Sequence, residues 1–458
     1  MHAKLTAWYV ITEFRLHQLI RMWLHTGLKK PLAFILVYAG ILLRILGSKK
    51  VGLNLILKGR RVDDIPRATS FIRKIIHDDE KSNSEFRALL LKSAEHSIKD
   101  AEDRILILKL PMVNDGQVIE KGAVIIKFSE TFPLVYFSLD VVLLFRYFRV
   151  ILEPSSSGYS AEEILVWTML NPEKVIVLTP DEGDFRFLSE LDTNLIPVNL
   201  GAADWVNPKI FHKIHDVQKE YDVIYVANFN PVKRVDRYIR AIVRISRKKH
   251  NFQAALVCAG HGSSQRAIMA MLKSVNEECN IAFFSAMPQP KLNKLFNQSK
   301  VNVLLSLKEG ANKGLSEGMF AGTPALLLAE NVGVNRANIN DQTGKIIPDE
   351  KLEEALVWFS EHYHEFASND WAMRHISPVE STLRLSQVLE KIELSEGRQW
   401  TSGLLAKANQ PELSYFNVED QWLFLKRAEL LEKFSAGGDI ESIECFLGQL
   451  QDLNIKKT

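Results

Sequence analysis

The chain has 458 residues, enough for two or three domains, and 47% hydrophobic against 24% charged residues marks a globular protein without long disorder. A formal net charge of +2 gives no global field for capturing nucleic acid, so no nucleic-acid partner is expected. Cys258, Cys279 and Cys445 lie far apart and are odd in number, which excludes a disulfide framework or zinc cluster and points to a reducing cytoplasm.

At the N-terminus no small-residue cleavage site follows a short apolar core, so a removable secretory signal is not expected. Residues 5–24 mix Trp8, Tyr9, Phe14 and Trp23 with Arg15, His17 and Arg21, the composition of an amphipathic helix. Residues 32–43 then read LAFILVYAGILL between Lys29 and Lys30 on one side and Arg44, Lys49 and Lys50 on the other. That run falls short of the roughly 20 apolar residues that cross a bilayer, and leaves open an interfacial element, a buried core helix or a true span. The basic flanks favour membrane attachment, which makes residues 1–50 a candidate peripheral contact on a cytoplasmic membrane face.

From residue 63 to 103, stretches such as IPRATSFIRKII and FRALLLKSAEHSI have helical spacing. Short β-branched runs follow: RILILKL, GAVIIKF, FRVILEP, KVIVLTP and NLIPV, separated by segments that can hold helices, the pattern of a parallel sheet. A second set comprises YDVIYVAN, QAALVCAG, IAFFSA, VNVLLSL and TPALLLA. The expected architecture is α/β, with two Rossmann-like units: a helical extension over 1–102, a first unit over 103–205, a second over 206–375 and a helical region over 376–458.

Within the second unit, EGANKGLSEGMFAGTPALLL places Glu309 and Glu317 at opposite ends of a turn-to-helix element. Strand ends of open α/β sheets bind ligands, and a helix N-terminus suits a diphosphate. Gly310 and Gly314 allow close backbone approach, while carboxylates accept hydrogen bonds from sugar and ribose hydroxyls. Taken alone, two glutamates at this spacing are an ordinary solvated helix face, and Lys233 an ordinary surface charge.

Their order along the chain gives them more weight. The segment resembles the nucleotide-binding domain of glycosyltransferase family 4: paired Glu309 and Glu317, the turn Gly322–Thr323–Pro324, and a later loop with Gly333 and Gly344 all match in sequence. ANFNPVKRVDRYIRAI is similar to the family's phosphate loop, with Lys233 at the lysine position, but Asn228 stands where an arginine is usual and Arg234 is the nearest substitute cation. Gly260 and Gly262 in LVCAGHGSS resemble glycines beside the nucleotide, and Gly201 and Asp204 an interdomain segment.

The resemblance implies a GT-B fold and a retaining glycosyltransferase that moves a sugar from a UDP- or GDP-linked donor to a glycan or lipid-linked glycan. Lys233 and Glu309 would act at the reacting bond. Glu317, Asn228, Arg234, Gly260, Gly262, Gly310, Asn312, Gly314 and Leu315 would hold the donor. Glu153, Ser155, Ser156, Ser157 and Gly158 stand at the end of a first-unit strand where an acceptor would be met, or equally cap that strand. No cofactor is implied, and without an Asp-x-Asp triplet no metal is expected. The rival readings are a GT-B protein that binds nucleotide-sugar without transferring it, a different enzyme on the same fold, and a membrane adaptor.

Overall fold

The computed structural model describes residues 2–90, 98–114, 116–410, 412–435 and 439–455. The helix expected over FRALLLKSAEHSI therefore falls partly outside the described residues. The chain divides into two compact units. One, the N-sheet unit, comprises residues 29–205 and 378–458; the other, the C-sheet unit, comprises residues 1–28 and 206–377.

Three helices open the chain: α1 (His2–Thr26), α2 (Lys29–Ile45) and α3 (Lys49–Val62). The single N-terminal extension expected over 1–102 is thus shared, α1 going with the C-sheet unit and α2 and α3 with the N-sheet unit. On α1, Ile11 and Phe14 pack against the C-sheet core, and Gln18, one turn further along the same face, is buried. Among the described residues no helix is long and apolar enough to cross a membrane.

The N-sheet unit contains β1 (Ile105–Lys109), a small hairpin of β2 (Met112–Asn114) and β3 (Gln117–Glu120), then β4 (Gly122–Lys127), β5 (Phe148–Glu153), β6 (Val175–Leu178) and β7 (Leu195–Val198). The sheet order is β1-β4-β5-β6-β7. The expected parallel pattern holds for β4 to β7, but β1 pairs with β4 antiparallel. The cause is the short connection: the β2–β3 hairpin fills it and leaves no room for the crossover helix a parallel pair needs.

Strands β4 to β7 succeed one another in a single direction, so right-handed crossovers place their helices on one face. Side-chain alternation divides the core accordingly. Val124, Ile126, Val150, Leu152 and Val177 join the helix-covered cluster with Trp167 and Phe187. Ile125, Ile151, Ile176 and Leu178 point to the other face, which needs a cover from elsewhere.

In the C-sheet unit all six strands are parallel: β8 (Val223–Asn228), β9 (Gln253–Ala259), β10 (Asn280–Phe284), β11 (Asn302–Leu304), β12 (Ala325–Leu328) and β13 (Gly344–Ile347). Their order, β10-β9-β8-β11-β12-β13, reverses between β8 and β11. That topological switch point opens a crevice at the carboxyl ends of those two strands. The uncovered face of the N-sheet is closed by the end of the chain. Leu385 and Leu389 of the helix Pro378–Ser395 pack there with Tyr415, from a hairpin of β14 (Lys407–Gln410) and β15 (Glu412–Tyr415).

Candidate functional site

The loop leaving β8 is shaped by its own side chains. Asn228 Oδ1 accepts from the Asn230 amide at 3.0 Å, and Asn230 Oδ1 accepts from the Val232 amide at 3.1 Å, two successive turns of the kind asparagine favours. The Tyr225 hydroxyl donates to the Lys233 carbonyl and fixes where that residue stands. The loop after β9 clamps this one: the Ser264 amide donates to Phe229 O at 3.2 Å, and a Cβ on Gly262 would stand 2.2 Å from the same oxygen. Only glycine fits there. Gly260, at φ +74°, turns the chain out of β9 into that clamp.

Lys233 faces the loop leaving β11 across the switch point. Its Nζ donates to both oxygens of Glu309, at 2.6 and 2.8 Å, with side-chain exposures of 16% and 8%. Glu309 is held by its amide, which donates to Val332 O at 2.8 Å. The helix Lys313–Phe320 begins just beyond, capped by Asn312, whose Oδ1 accepts from the Leu315 amide at 2.9 Å. Asn302 Nδ2 donates to Gly314 O at 2.7 Å and ties the helix start to β11. Gly310 is half-buried in the loop between.

Glu317, one turn into that helix, is 9% exposed. Burial pushes its carboxyl up to about 7, against the opposing pull of Lys313. A Cβ on Gly314 would lie 3.9 Å from Glu317 Oε2, so the glycine leaves room above the carboxyl. Two carboxyls and the ammonium groups of Lys233 and Lys313 thus gather around a helix start whose first amides carry partial positive charge. Such a constellation can take a diphosphate at the lysine and helix end, and hydroxyl groups at the glutamates.

The remaining expected residues are placed differently. Arg234, at φ +54°, is buried, and its guanidinium pairs with Asp349 and reaches Leu305 O at 3.4 Å, so its charge is already committed. Leu315 is a core side chain whose amide is taken by Asn312.

On the acceptor side, Glu153 is 1% exposed: it pairs with Lys407, accepts from Asn409 Nδ2 at 3.1 Å and lies 3.9 Å from Lys127 Nζ. It is a strand-end anchor for β14 and is not open to an acceptor. Ser157 is buried, and its hydroxyl has no hydrogen-bond partner among the described residues. Gly158 donates its amide to Asp184 at 2.7 Å. Ser155 and Ser156 remain exposed, Ser155 bonding across to Ser129 at 3.4 Å.

One neighbour of the site was not legible in the sequence. Gln18 of α1 donates to Pro231 O at 2.9 Å, inside the β8 loop, and the His25 ring lies 3.3 Å from Glu330 O. The only hint was a polar residue on the face that Ile11 and Phe14 mark as buried.

Residues 206–363 match the family model described as "Glycosyl transferases group 1". The match lies within the C-sheet unit and covers about a third of the chain. No curated protein matches it. Among solved structures, a variant of S. aureus TarM in complex with Fondaparinux, alpha-GlcNAc-glycerol and UDP is 17% identical, with a TM-score of 0.46 over 58% of this chain and 54% of that one. Sucrose-phosphate synthase from Thermosynechococcus elongatus is 16% identical, with a TM-score of 0.46 over 59% and 73% of the two chains. HepE from Anabaena, in complex with UDP-glucose, is 10% identical, with a TM-score of 0.45 over 58% and 78%. This chain therefore spans about half the length of the TarM structure that it matches.

Proposed function

We propose that the protein is a retaining glycosyltransferase of the GT-B kind that takes a sugar from a UDP- or GDP-linked donor and passes it to a hydroxyl of a glycan or lipid-linked glycan. The observation that carries this reading is the placement of Lys233, Glu309 and Glu317 together at the switch point of a six-stranded parallel sheet. The donor diphosphate takes over Lys233 and the first amides of the helix Lys313–Phe320. Glu309, released from the lysine, accepts hydrogen bonds from the sugar, and ionised Glu317 accepts from the ribose diol.

In the transfer step the acceptor oxygen bonds to the anomeric carbon on the face from which the diphosphate departs. The bond from that carbon to the diphosphate breaks, and the acceptor proton passes to the diphosphate. Lys233 and the helix amides stabilise the negative charge that grows there. No covalent bond to the protein forms, and the reading assigns no step to a metal.

A second reading, nucleotide-sugar binding with weak or no transfer, is favoured by one observation: Asn228 brings no charge to the β8 loop and Arg234 is paired with Asp349. Calorimetric titration with UDP and GDP, followed by a transfer assay on the nucleotide-sugar of the base that binds, tests both. Saturable binding lost in Lys233→Ala and Glu317→Ala, with turnover, supports transfer; binding without turnover moves the assignment to the second reading. Failure of folded wild type to bind either nucleotide would sink the donor site.

A further inference from the structure

Between Phe14 and Val62 the chain has ten lysines and arginines and no aspartate or glutamate, although its overall formal charge is only +2. Within this stretch α2 and α3 run antiparallel with their backbones almost touching. A Cβ on Gly40 would stand 2.6 Å from Gly52 O, and one on Gly59 2.6 Å from Val37 Cγ2. The face of α2 turned to α3 is therefore made of small residues, Ala33, Val37 and Gly40, all buried. Its large apolar side chains face the other way: Phe34, Ile35, Tyr38, Leu42 and Ile45 are 43–76% exposed.

A helix folded for water puts its bulky apolar residues inside and its small or polar ones outside. In α2 the arrangement is inverted, and the exposed residues recur at helical spacing, forming one continuous stripe rather than scattered exposures. Small-residue packing with bulky residues outward is how helices associate in lipid. Taken by itself, α1 in the C-sheet unit packs Ile11 and Phe14 inward but also leaves large apolar residues outside: Leu16, Leu19, Ile20 and Trp23 are exposed.

We propose that the outward face of α2 docks on an anionic lipid bilayer, entering the interface without crossing it. At 17 residues and ~1.5 Å per residue, α2 is shorter than a hydrocarbon core of roughly 30 Å. Charge selects the occupant. Lys29, Arg44, Arg60 and Arg61 are engaged by Asp63, Glu85, Asp64 and Glu162. Lys30, Lys49, Lys50 and Lys58 are exposed and have no ion-pair partner among the described residues. Lys30 and Lys49 flank the two ends of α2, where headgroup phosphates meet an inserted stripe. A second copy of the chain would bring the same lysines against each other, which opposes self-association through this face.

The proposal does not rest on the donor-site reading, and its test separates the two. Full-length protein is floated with vesicles of phosphatidylcholine alone and of phosphatidylcholine with phosphatidylglycerol, beside the double variants Ile35→Asp/Leu42→Asp and Lys49→Ala/Lys50→Ala. Circular dichroism and the thermal transition of each preparation report that it is folded, including the N-sheet unit that carries α2, and UDP and GDP binding is read separately. The wild type is expected to partition onto the anionic vesicles, and more weakly in high salt. The apolar variant should lose at least about tenfold, and the lysine variant roughly fivefold for each charge removed. No partition of folded wild type onto anionic vesicles, undiminished partition of the apolar variant, or vesicle-free self-association abolished by the same substitutions would each overturn it.

Discussion

Replacing Glu317 by Gln should stabilise the protein, and chiefly above neutral pH. The carboxyl is 9% exposed, and burial raises it from 4.5 to about 7. Well below the unfolded value both states hold the proton and the group contributes nothing that depends on pH. Between the two values the folded state keeps a proton that the unfolded chain has released, so stability falls as pH rises, and above about 7 the whole penalty is in place. That displacement corresponds to ~3 kcal/mol, at ~1.4 kcal/mol per pH unit. Gln preserves the shape and removes the ionisation, so Glu317→Gln should recover most of that amount at about pH 8 and little of it at about pH 5. For a unit of this size the gain is about 6–12 °C in Tm, read by differential scanning calorimetry of wild type and variant at both pH values. An equal difference at the two pH values would refute the buried, proton-holding carboxyl.

Nucleotide binding should release protons near neutrality, because ribose hydroxyls donate to an ionised Glu317; titrations in two buffers of different ionisation enthalpy measure it, and proton uptake would contradict the assignment. Lys233→Ala should weaken UDP or GDP at least about tenfold while changing uridine or guanosine less than about twofold, since only the diphosphate meets the ammonium; equal losses for nucleotide and nucleoside would place Lys233 elsewhere. Gly262→Ala should cost about 1–3 kcal/mol in denaturant unfolding and weaken nucleotide binding, because its Cβ meets Phe229 O at 2.2 Å. Lys407→Ala should cost up to about 3–5 kcal/mol by leaving the buried Glu153 with only Asn409 and the more distant Lys127. Adding Glu153→Ala should restore part of that loss, and additive losses would show the pair to be uncoupled.

The features legible in the sequence are those that local pattern decides. Alternating β-branched runs gave strands, and the chain order of Lys233, Glu309, Glu317 and the glycines among them identified the loops that meet where strand order reverses. Gly262 was legible as a glycine but not as a clamp, since the need for it lies in Phe229, far away in sequence. What could not be read depends on partners distant along the chain. Glu153 read equally as an acceptor-side group or a strand cap, because the residue that decides between them, Lys407, stands 254 residues on, and burial pushes that lysine down to about 8. Arg234 looked free for the same reason until Asp349 folded back onto it. The division of the first 102 residues between two units follows from where Ile11 and Phe14 find a core, which periodicity alone cannot say.

The charges at the donor site bear on which reading of function prevails. A departing nucleoside diphosphate needs positive charge where its bond breaks, and removing one well-aimed donor from such a site slows reactions by about 10²–10³. Lys233 supplies one charge once Glu309 releases it, Lys313 stands at the start of the helix Lys313–Phe320, whose end carries roughly half a charge, and Arg234 is paired with Asp349. Ground-state binding of nucleotide asks less, because Glu317 and the loop backbone act whether or not the bond breaks. This arrangement predicts affinity that is ordinary for the fold and turnover that is slow for it. Reintroducing the cation through Asn228→Arg should raise turnover without a comparable gain in affinity, because a charge used mainly in the transition state raises kcat and leaves binding nearly unchanged. If affinity rose as much as turnover, or turnover did not rise in a folded variant, Asn228 would not be the position where charge is missing.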